Sequence, residues 1–481
     1  MPLLTFMTVG GFTEGQMRSA PGRLPGNFAK LTPIICIALL LGACAVAPRK
    51  GDTGAAAAAS RDREIEDVTR IPQRFVELAE AAGGRLDIDE PCRSKLLDEF
   101  RRNFFMPWTS TTHLNDPDDA RKFMQQEARG RWFGVNKRRI APKLMHELLE
   151  NCALDDFPSR SQLAIAVAPG HLRGLPTPMP FYERADAAPF DMLSYPQVKL
   201  NEPLRVLHAS RDGVWLFVET VYSYGWLEAR DVALVDRAFA KRWMQAAHLA
   251  IVKDYTPVPD GRGAAGFRAK IGTILPLTDE GDDWWEARVA SAGEGGKAEE
   301  RAVRIPAAVA ARFPLEFAKG NLALIGDQLL GQPYGWGELY DLRDCSAILR
   351  DFFLPFGIWL PRTSSDQIAS LPRRLGLAKL AAPAKEELIR SKGLPFLSLL
   401  YKRGHIMLYV GQDPEGRPLV FHDAWSIRVH EGGVEKTQII GFSVITSMEP
   451  GKELGLVAGS SLLERVTELG TLTERCRQKS E

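Results

Sequence analysis

The chain has 481 residues, enough for about three domains at roughly 150 residues each. Hydrophobic residues make up 45% and charged residues 25%, and 42 Gly with 32 Pro fall far short of a collagen-like or wholly disordered composition. Lys plus Arg number 61 against 60 Asp plus Glu, a net charge of +1, which excludes a global electrostatic footprint for nucleic acid and gives no charge-based reason for anionic-lipid binding.

Arg18, Arg23 and Lys30 precede a short apolar run, Leu31 to Leu41, the pattern of an export signal; a spanning helix needs roughly 20 such residues. The run ends in Leu41-Gly42-Ala43-Cys44, which resembles a bacterial lipobox. That resemblance implies cleavage after residue 43, lipidation of Cys44 and a location in the cell envelope, on a periplasmic or extracytoplasmic face. A secretory signal cut elsewhere, with Cys44 incidental, is the alternative, and Met17 is a second possible start. Residues 44–61 lack bulky apolar side chains and read as a tether.

Residues 62–158 read as helical. Val76, Leu78, Ala79 and Ala82, then Leu96, Leu97 and Phe100, recur at three- and four-residue steps, and Phe104-Phe105-Met106-Pro107-Trp108 reads as a stop. Asn115-Asp116-Pro117 is a start signal for a helix over 120–133, and another surrounds Leu144 to Leu149. His146-Glu147-Leu148-Leu149-Glu150 lacks the second His of a zinc-protease helix and reads as an ordinary helix.

Over 159–238 the period changes to two, with strands at Gln162–Val167, Leu204–His208, Val214–Val218 and Gly225–Leu227. A second β block over 239–314 has strands at Leu249–Val252, Gly272–Leu275 and Trp284–Val289. Asp212-Gly213-Val214-Trp215 and Gly281-Asp282-Asp283-Trp284 look like equivalent turns of two copies, which predicts two small barrels rather than one sandwich. Trp215, Trp226, Trp284 and Trp285 read as barrel core. Each block resembles a bacterial SH3 domain, the first through His171 to Thr177 and Gly225-Trp226, and serves either as a wall-binding or groove-shaping module or as a spacer.

From 315 to 450 the chain mixes α and β: helices at Leu322–Leu330 and Cys345–Phe353, then strands at His405–Val410, Pro418–His422 and Thr437–Ile440. Residues 451–481 are expected to form an amphipathic helix through Leu462, Leu463, Val466, Leu469 and Leu472. Of six cysteines, Cys36 lies in the signal and Cys44 in the lipobox; Cys92 and Cys152 either pair or stay free, and Cys476 reads as a thiol in the last helix. Cys345 stands at a helix start, where the helix dipole is expected to lower its pKa. His405 opens a strand after Gly404, and His422 lies on the next strand, close enough to neighbour it. The pattern suits Cys345 as nucleophile, His405 as base and His422 as the group fixing the His405 tautomer. His430, placed in a polar loop, is the weaker candidate.

Tyr334-Gly335-Trp336-Gly337, Asp344-Cys345-Ser346, Leu360 to Gln367 and Gly404 to Gly411 together resemble the NlpC/P60 family, and the segment around Phe105-Met106-Pro107-Trp108 is similar to its N-terminal stabilising region. The resemblance implies a multidomain protein: a helical N-terminal region, two SH3-like β-barrels and a C-terminal α+β papain-like domain. It implies a cysteine peptidase, needing no cofactor or metal, that cleaves the γ-D-glutamyl–L-diamino-acid bond of peptidoglycan stem peptides. The expected protein is a monomer acting on the wall and touching the membrane only through lipid, with no nucleic-acid partner. Asp344, Ser346, Tyr334, Trp336 and Ser364 take pocket positions, Asp344 binding a free substrate amine; Thr363, where an acidic residue is common, weakens that last point. An enzyme restricted to free stem peptides, another papain-like chemistry such as an amidase or acyltransferase, and a non-catalytic wall binder are the alternatives.

Overall fold

A computed structural model of the chain describes residues 64–83, 88–261 and 266–476, all within one unit; the expected signal, Cys44 and the tether lie outside the described residues. The N-terminal region contributes α1 (Glu66–Arg70), α2 (Phe75–Ala82), α3 (Glu90–Phe104), α4 (Met106–Thr109), α5 (Pro117–Arg129) and α6 (Pro142–Asn151). The Asp89 carboxylate caps α3 by accepting from the Cys92 N–H at 2.9 Å, and Asp116 with Pro117 starts α5 as the sequence predicts.

These helices bury their apolar faces against different partners. Phe75 of α2 enters the last domain beside Phe352, Phe396 and Phe421. Gly326 makes room for it, because a Cβ there would lie 2.3 Å from the ring. Met124 of α5 and Met145 of α6 instead pack with Phe217 and Trp226 of the first barrel. Trp108 donates its indole N–H to the Ala164 carbonyl at 2.7 Å, and Arg205 reaches back to the Pro107 carbonyl at 3.1 Å.

The first barrel consists of β1 (Gln162–Ala166), β2 (Gly170–Arg173), β3 (Ser194–Val198), β4 (Pro203–Ala209), β5 (Trp215–Glu219), β6 (Tyr224–Glu228) and β7 (Val232–Leu234), in the order β3-β2-β6-β5-β4-β1-β7. After α7 (Arg237–Gln245) the second repeats the plan with β8 (His248–Ile251), β9 (Thr256–Val258), β10 (Phe267–Ala269), β11 (Ile274–Glu280), β12 (Trp284–Ala292), β13 (Ala298–Pro306) and β14 (Ala310–Arg312). Its order, β13-β12-β11-β8-β14, copies β6-β5-β4-β1-β7, and β9 pairs β10 as β2 pairs β3. The two turns singled out in the sequence join β4 to β5 and β11 to β12, so they are equivalent. Trp215 and Trp226 are core residues; Trp285 is only half-buried, and Trp284 lies under the Arg304 guanidinium at 4.3 Å rather than inside.

The last domain holds α8 (Lys319–Leu329), α9 (Cys345–Phe353), α10 (Ser364–Ala369), β15 (Arg374–Gly376), α11 (Ala382–Lys392), β16 (Ser398–Lys402), β17 (His405–Gln412), β18 (Pro418–Glu431), β19 (Val434–Ser447), α12 (Leu462–Arg465) and β20 (Glu468–Thr471). Its sheet runs β15-β20-β16-β17-β18-β19, and Ile348, Leu349 and Phe352 of α9 share a core with Ile406, Leu408 and Phe421.

Two secondary-structure expectations are corrected here. The C-terminal amphipathic helix is one turn, α12, closed by a Ser461/Glu464 capping box. Its leucine spacing also suits a strand, and pairing with the free edge of β16 decides for β20; Gly470 lies where a Cβ would be 2.7 Å from Leu371. His430 belongs to the exposed end of β18, not to a loop.

Cys92 pairs with Cys476, 384 residues away, while Cys152 is a free buried thiol. The physical reason is that α3 turns the Cys92 end toward the last domain, whereas Cys152 closes α6 inside the first-barrel core. Closing so long a loop restricts the unfolded chain strongly. Cys92→Ser is expected to lower unfolding free energy by about 2–5 kcal/mol in a guanidinium titration; an unchanged midpoint would contradict a stabilising bridge.

Candidate active site

Cys345 is the first residue of α9, and Asp344 is its N-cap, accepting from the Ser346 and Ala347 N–H groups at 3.2 and 2.9 Å. Arg403 and Gly404 form the two-residue turn between β16 and β17, and Gly404 supplies the φ of +75° that the turn needs. His405 thereby opens β17 directly opposite Lys402. Cys345, His405 and His422 border one cavity of about 170 Å³, with Tyr334, Lys402, Asp423 and Trp425. The Cys345 sulfur also receives the Ile406 backbone N–H, next to His405.

The histidines form a directed chain. His405 Nε2 lies 2.8 Å from His422 Nδ1, and His422 Nε2 lies 2.9 Å from Thr446 Oγ1. Thr446 spends its hydroxyl proton on the Ser447 carbonyl at 2.8 Å, so it accepts from His422 Nε2–H. His422 then accepts at Nδ1 from His405 Nε2–H, and His405 Nδ1 is left with an open lone pair.

The resting electrostatics differ from what the helix start alone suggests. Burial pushes the Cys345 thiol up to about 12, with the Asp344 and Asp423 carboxyls adding to the rise and the Ile406 N–H and Arg362 opposing it. Burial also holds His405 well below its usual value, helped by His422 and Lys402, and holds His422 down at about 3. The free site therefore contains a neutral thiol and neutral imidazoles at pH 7.

Asp344 is fully engaged. Besides capping α9, its Oδ1 accepts from Ser346 Oγ at 3.0 Å and Arg362 at 3.1 Å, and its Oδ2 from Arg362 at 2.6 Å. Arg362 also reaches Glu338 at 2.9 Å, and Arg350 clamps Glu338 with bonds of 2.6 and 3.1 Å. Arg350 and Lys199 of the first barrel meet Asp351 at 2.8 and 2.7 Å. Arg343 joins Asp351 at 2.8 Å to Asp254 of the second barrel at 2.7 Å. This buried network holds the tight segment before α9, in which Glu338, Tyr340 and Asp341 have φ of 67°, 60° and 61°.

Of the pocket residues expected from the sequence, Tyr334 lines the cavity; Asp344 and Ser346 are tied up beside it, and Ser364, half-buried at the start of α10, stands apart. Trp336 forms a rim with Phe190 of the first barrel at 5.3 Å, and Phe190 also meets Trp425 at 5.4 Å. The β2–β3 connection is thus the barrel segment that reaches the groove. Sequence reasoning missed Phe190, Lys402, Asp423 and Trp425; for the last two the signal was a charged and an aromatic residue directly after His422.

The fold and site together define a papain-like α+β domain with a helix-start cysteine and paired histidines, preceded by two SH3-like barrels. Residues 331–432 match the NlpC/P60 family, residues 33–157 its N-terminal stabilising domain, residues 180–228 an SH3 domain of SH3b1 type and residues 236–281 one of SH3b2 type. The last domain is thus an NlpC/P60 domain, joined in one chain to that family's stabilising domain and two SH3b domains. The fold is similar to that of an NlpC/P60 endopeptidase from Photobacterium damselae subsp. piscicida, with TM-score 0.75 and 21% identity over 84% of this chain and 97% of that one. An NlpC/P60 family protein from Bacillus cereus ATCC 10987 matches at TM-score 0.40 and 15% identity, over 58% of this chain and 82% of that one. A search of curated proteins found no match.

Below its pKa a thiol exposes about tenfold more thiolate per pH unit. Iodoacetamide labelling of Cys345, followed by peptide mass spectrometry, is expected to keep rising at about that slope from pH 7 to 9. A plateau below pH 7 would contradict the neutral resting pair.

Proposed function

We propose that the protein is a cysteine endopeptidase that hydrolyses the γ-D-glutamyl–L-diamino-acid bond of peptidoglycan stem peptides, as a monomer and without a cofactor. The observation that carries this reading is the His405–His422–Thr446 chain beside Cys345 in one cavity. His405 Nδ1 takes the thiol proton as the sulfur attacks the γ-carbonyl, and the Cys345 N–H at the start of α9 donates to the oxyanion. Collapse expels the diamino acid, whose amine takes the proton from His405. Water, deprotonated by the same imidazole, then attacks the thioester and frees the D-glutamyl acid and the thiol. His422 and Thr446 keep His405 in the tautomer this sequence needs. Because the resting pair is neutral, proton transfer from Cys345 to His405 accompanies attack on the bound carbonyl rather than preceding it.

The small cavity and the Phe190 wall favour a short, released stem peptide over cross-linked wall. The endopeptidase description of the similar Photobacterium protein supports the hydrolytic reading. A lipid anchor at Cys44 would put the enzyme in the envelope, at the membrane but not through it. Action on intact wall is the second reading, favoured by that envelope placement.

The test incubates the protein from residue 62 onward with L-Ala-γ-D-Glu-diaminopimelate and, separately, with intact sacculi, reading products by mass spectrometry. A new diamino-acid amino terminus from the tripeptide, absent with Cys345→Ala, is expected. The same product from sacculi would add the wall as substrate, and no Cys345-dependent product from either would leave a non-catalytic wall-binding role.

A further inference from the structure

The near-balance of 61 basic against 60 acidic residues hides one local imbalance. Between Glu127 and Glu147 the chain carries Arg129, Arg131, Lys137, Arg138, Arg139 and Lys143 and no Asp or Glu. These residues span the end of α5, the connection that follows and the start of α6. The connection is a built turn. Phe133 exchanges backbone bonds with Tyr182 of the β2–β3 connection at 2.8 and 2.9 Å. The Gly134 N–H donates to the Arg138 carbonyl, and the Ile140 N–H to the Trp132 carbonyl, each at 2.9 Å. Trp132 is pinned as well: its indole N–H donates to the Glu127 carbonyl at 2.7 Å, and a Cβ at Gly130 would lie 2.2 Å from its ring.

The backbone of this turn is paired, but its cations are not. Among the described residues, the exposed side chains of Arg129, Arg131, Lys137 and Arg138 have no ion pair or hydrogen bond, and Arg139 only stacks over the Phe133 ring at 4.8 Å. The carboxyls nearest in sequence do not answer them. Glu147 pairs with Lys143 at 3.6 Å and Glu150 faces His146 at 3.5 Å, while burial pushes the Glu127 carboxyl up to about 7, with Glu183 adding to the rise. A cavity of about 660 Å³ opens between the end of α5, the turn and α6. Trp132, Ile140 and Leu149 give it an apolar lining, and Arg129, Arg131 and Arg139 border the same space. At the tip of the turn, just ahead of Lys137 and Arg138 in the chain, Val135 is 74% exposed. Cations around apolar surface match an anion joined to an apolar body, which is the makeup of an anionic phospholipid at a bilayer surface. Wall glycan offers carboxylates without an apolar body, and a nucleic acid would leave Val135 and the aliphatic lining unmatched.

We propose that the α5–α6 face is a membrane-contact site that docks the protein on anionic phospholipid, with the arginines at the cavity holding lipid phosphate and Val135 entering the acyl boundary. The inference goes beyond the peptidase reading and does not depend on it. It adds a contact made by the folded protein to the lipid expected at Cys44. A guanidinium group suits the task because it bonds two phosphate oxygens at once. The attraction acts within about a Debye length, roughly 10 Å at 0.1 M salt, so it operates once the protein is already near the surface. A lipid anchor sets only the distance from the membrane, whereas this face also sets which side of the protein meets it.

The described residues belong to one unit, so the protein from residue 62 onward, which lacks Cys44, serves for the test. Its sedimentation is measured with phosphatidylcholine vesicles, with vesicles containing about 30% phosphatidylglycerol, and with sacculi. Phosphatidylglycerol is expected to raise binding at least about tenfold, and about 0.5 M NaCl to remove most of that gain. Arg129→Ser with Arg131→Ser and, separately, Lys137→Gly with Arg138→Ser should each lower binding to these vesicles at least about tenfold, with Tm unchanged. Where a double variant unfolds, Lys137→Gly alone carries the comparison, since glycine relieves the φ of 61° at that position. Equal binding to the two kinds of vesicle, or folded variants that bind as the unaltered protein does, overturns the proposal. Binding to sacculi without binding to phosphatidylglycerol vesicles also overturns it, making the patch a wall contact. Soluble glycerol phosphate bound as tightly as the vesicles would reassign the cavity to a free phosphate ester and overturn the bilayer claim.

Discussion

Arg343, Arg350, Arg362 and Lys199 are withdrawn from water together, and Asp254, Glu338, Asp344 and Asp351 are the groups that make this tolerable. Removing a single partner from such a set leaves an uncompensated buried charge, at about 3–5 kcal/mol. The partners come from three different domains. Lys199 arrives from the first barrel, Asp254 from the second, and the remainder from α9 and the segments on either side of it. Docking is therefore all-or-none, and its product is a fixed start for the helix that carries Cys345. The left-handed backbone at Glu338 and Asp341 persists because the network over-determines it: Glu338 is clamped by two guanidinium groups, while Asp341 is held by Gln197 of the first barrel.

The same network explains the division of labour among the carboxyls at the site. Asp344 takes a pocket position in the sequence, yet it neutralises Arg362 and caps α9, so it shapes the position of Cys345. Asp423 lies outside the network, buried and without a hydrogen-bond partner. The thiol and both histidines rest uncharged, so the cavity holds no ion pair until substrate enters. Phe190, carried on the β2–β3 connection, closes the groove from the first barrel. That barrel is accordingly part of the groove wall.

Much of this was legible in residue patterns. Asp344 ahead of an apolar helix marked the start of α9, Gly404 marked the turn before His405, and the paired Asp/Gly–Trp turns marked a repeated barrel whose strand order does repeat. What escaped were features defined by distant partners. The leucines after residue 461 suit a helix or a strand until the open edge of β16 is known. Cys92 can pair with Cys152 as readily as stay free until α3 and α6 are seen to diverge. Arg343 and Arg350 are buried around Asp351, which Lys199 of the first barrel also meets, and Arg343 reaches Asp254 of the second; local periodicity does not connect these residues. The lack of a hydrogen-bond partner for Asp423 is likewise set by the elements packed around it and not by its own segment.

The dependence of α9 on the barrels is tested most directly by native-state hydrogen exchange, read by mass spectrometry, on the protein and its Asp351→Asn variant. Amides of α9 and of β3 are expected to open with the same free energy, and the substitution should lower both together. Faster exchange confined to α9, with β3 unchanged, would contradict the account by showing that the first barrel does not share the helix's stability.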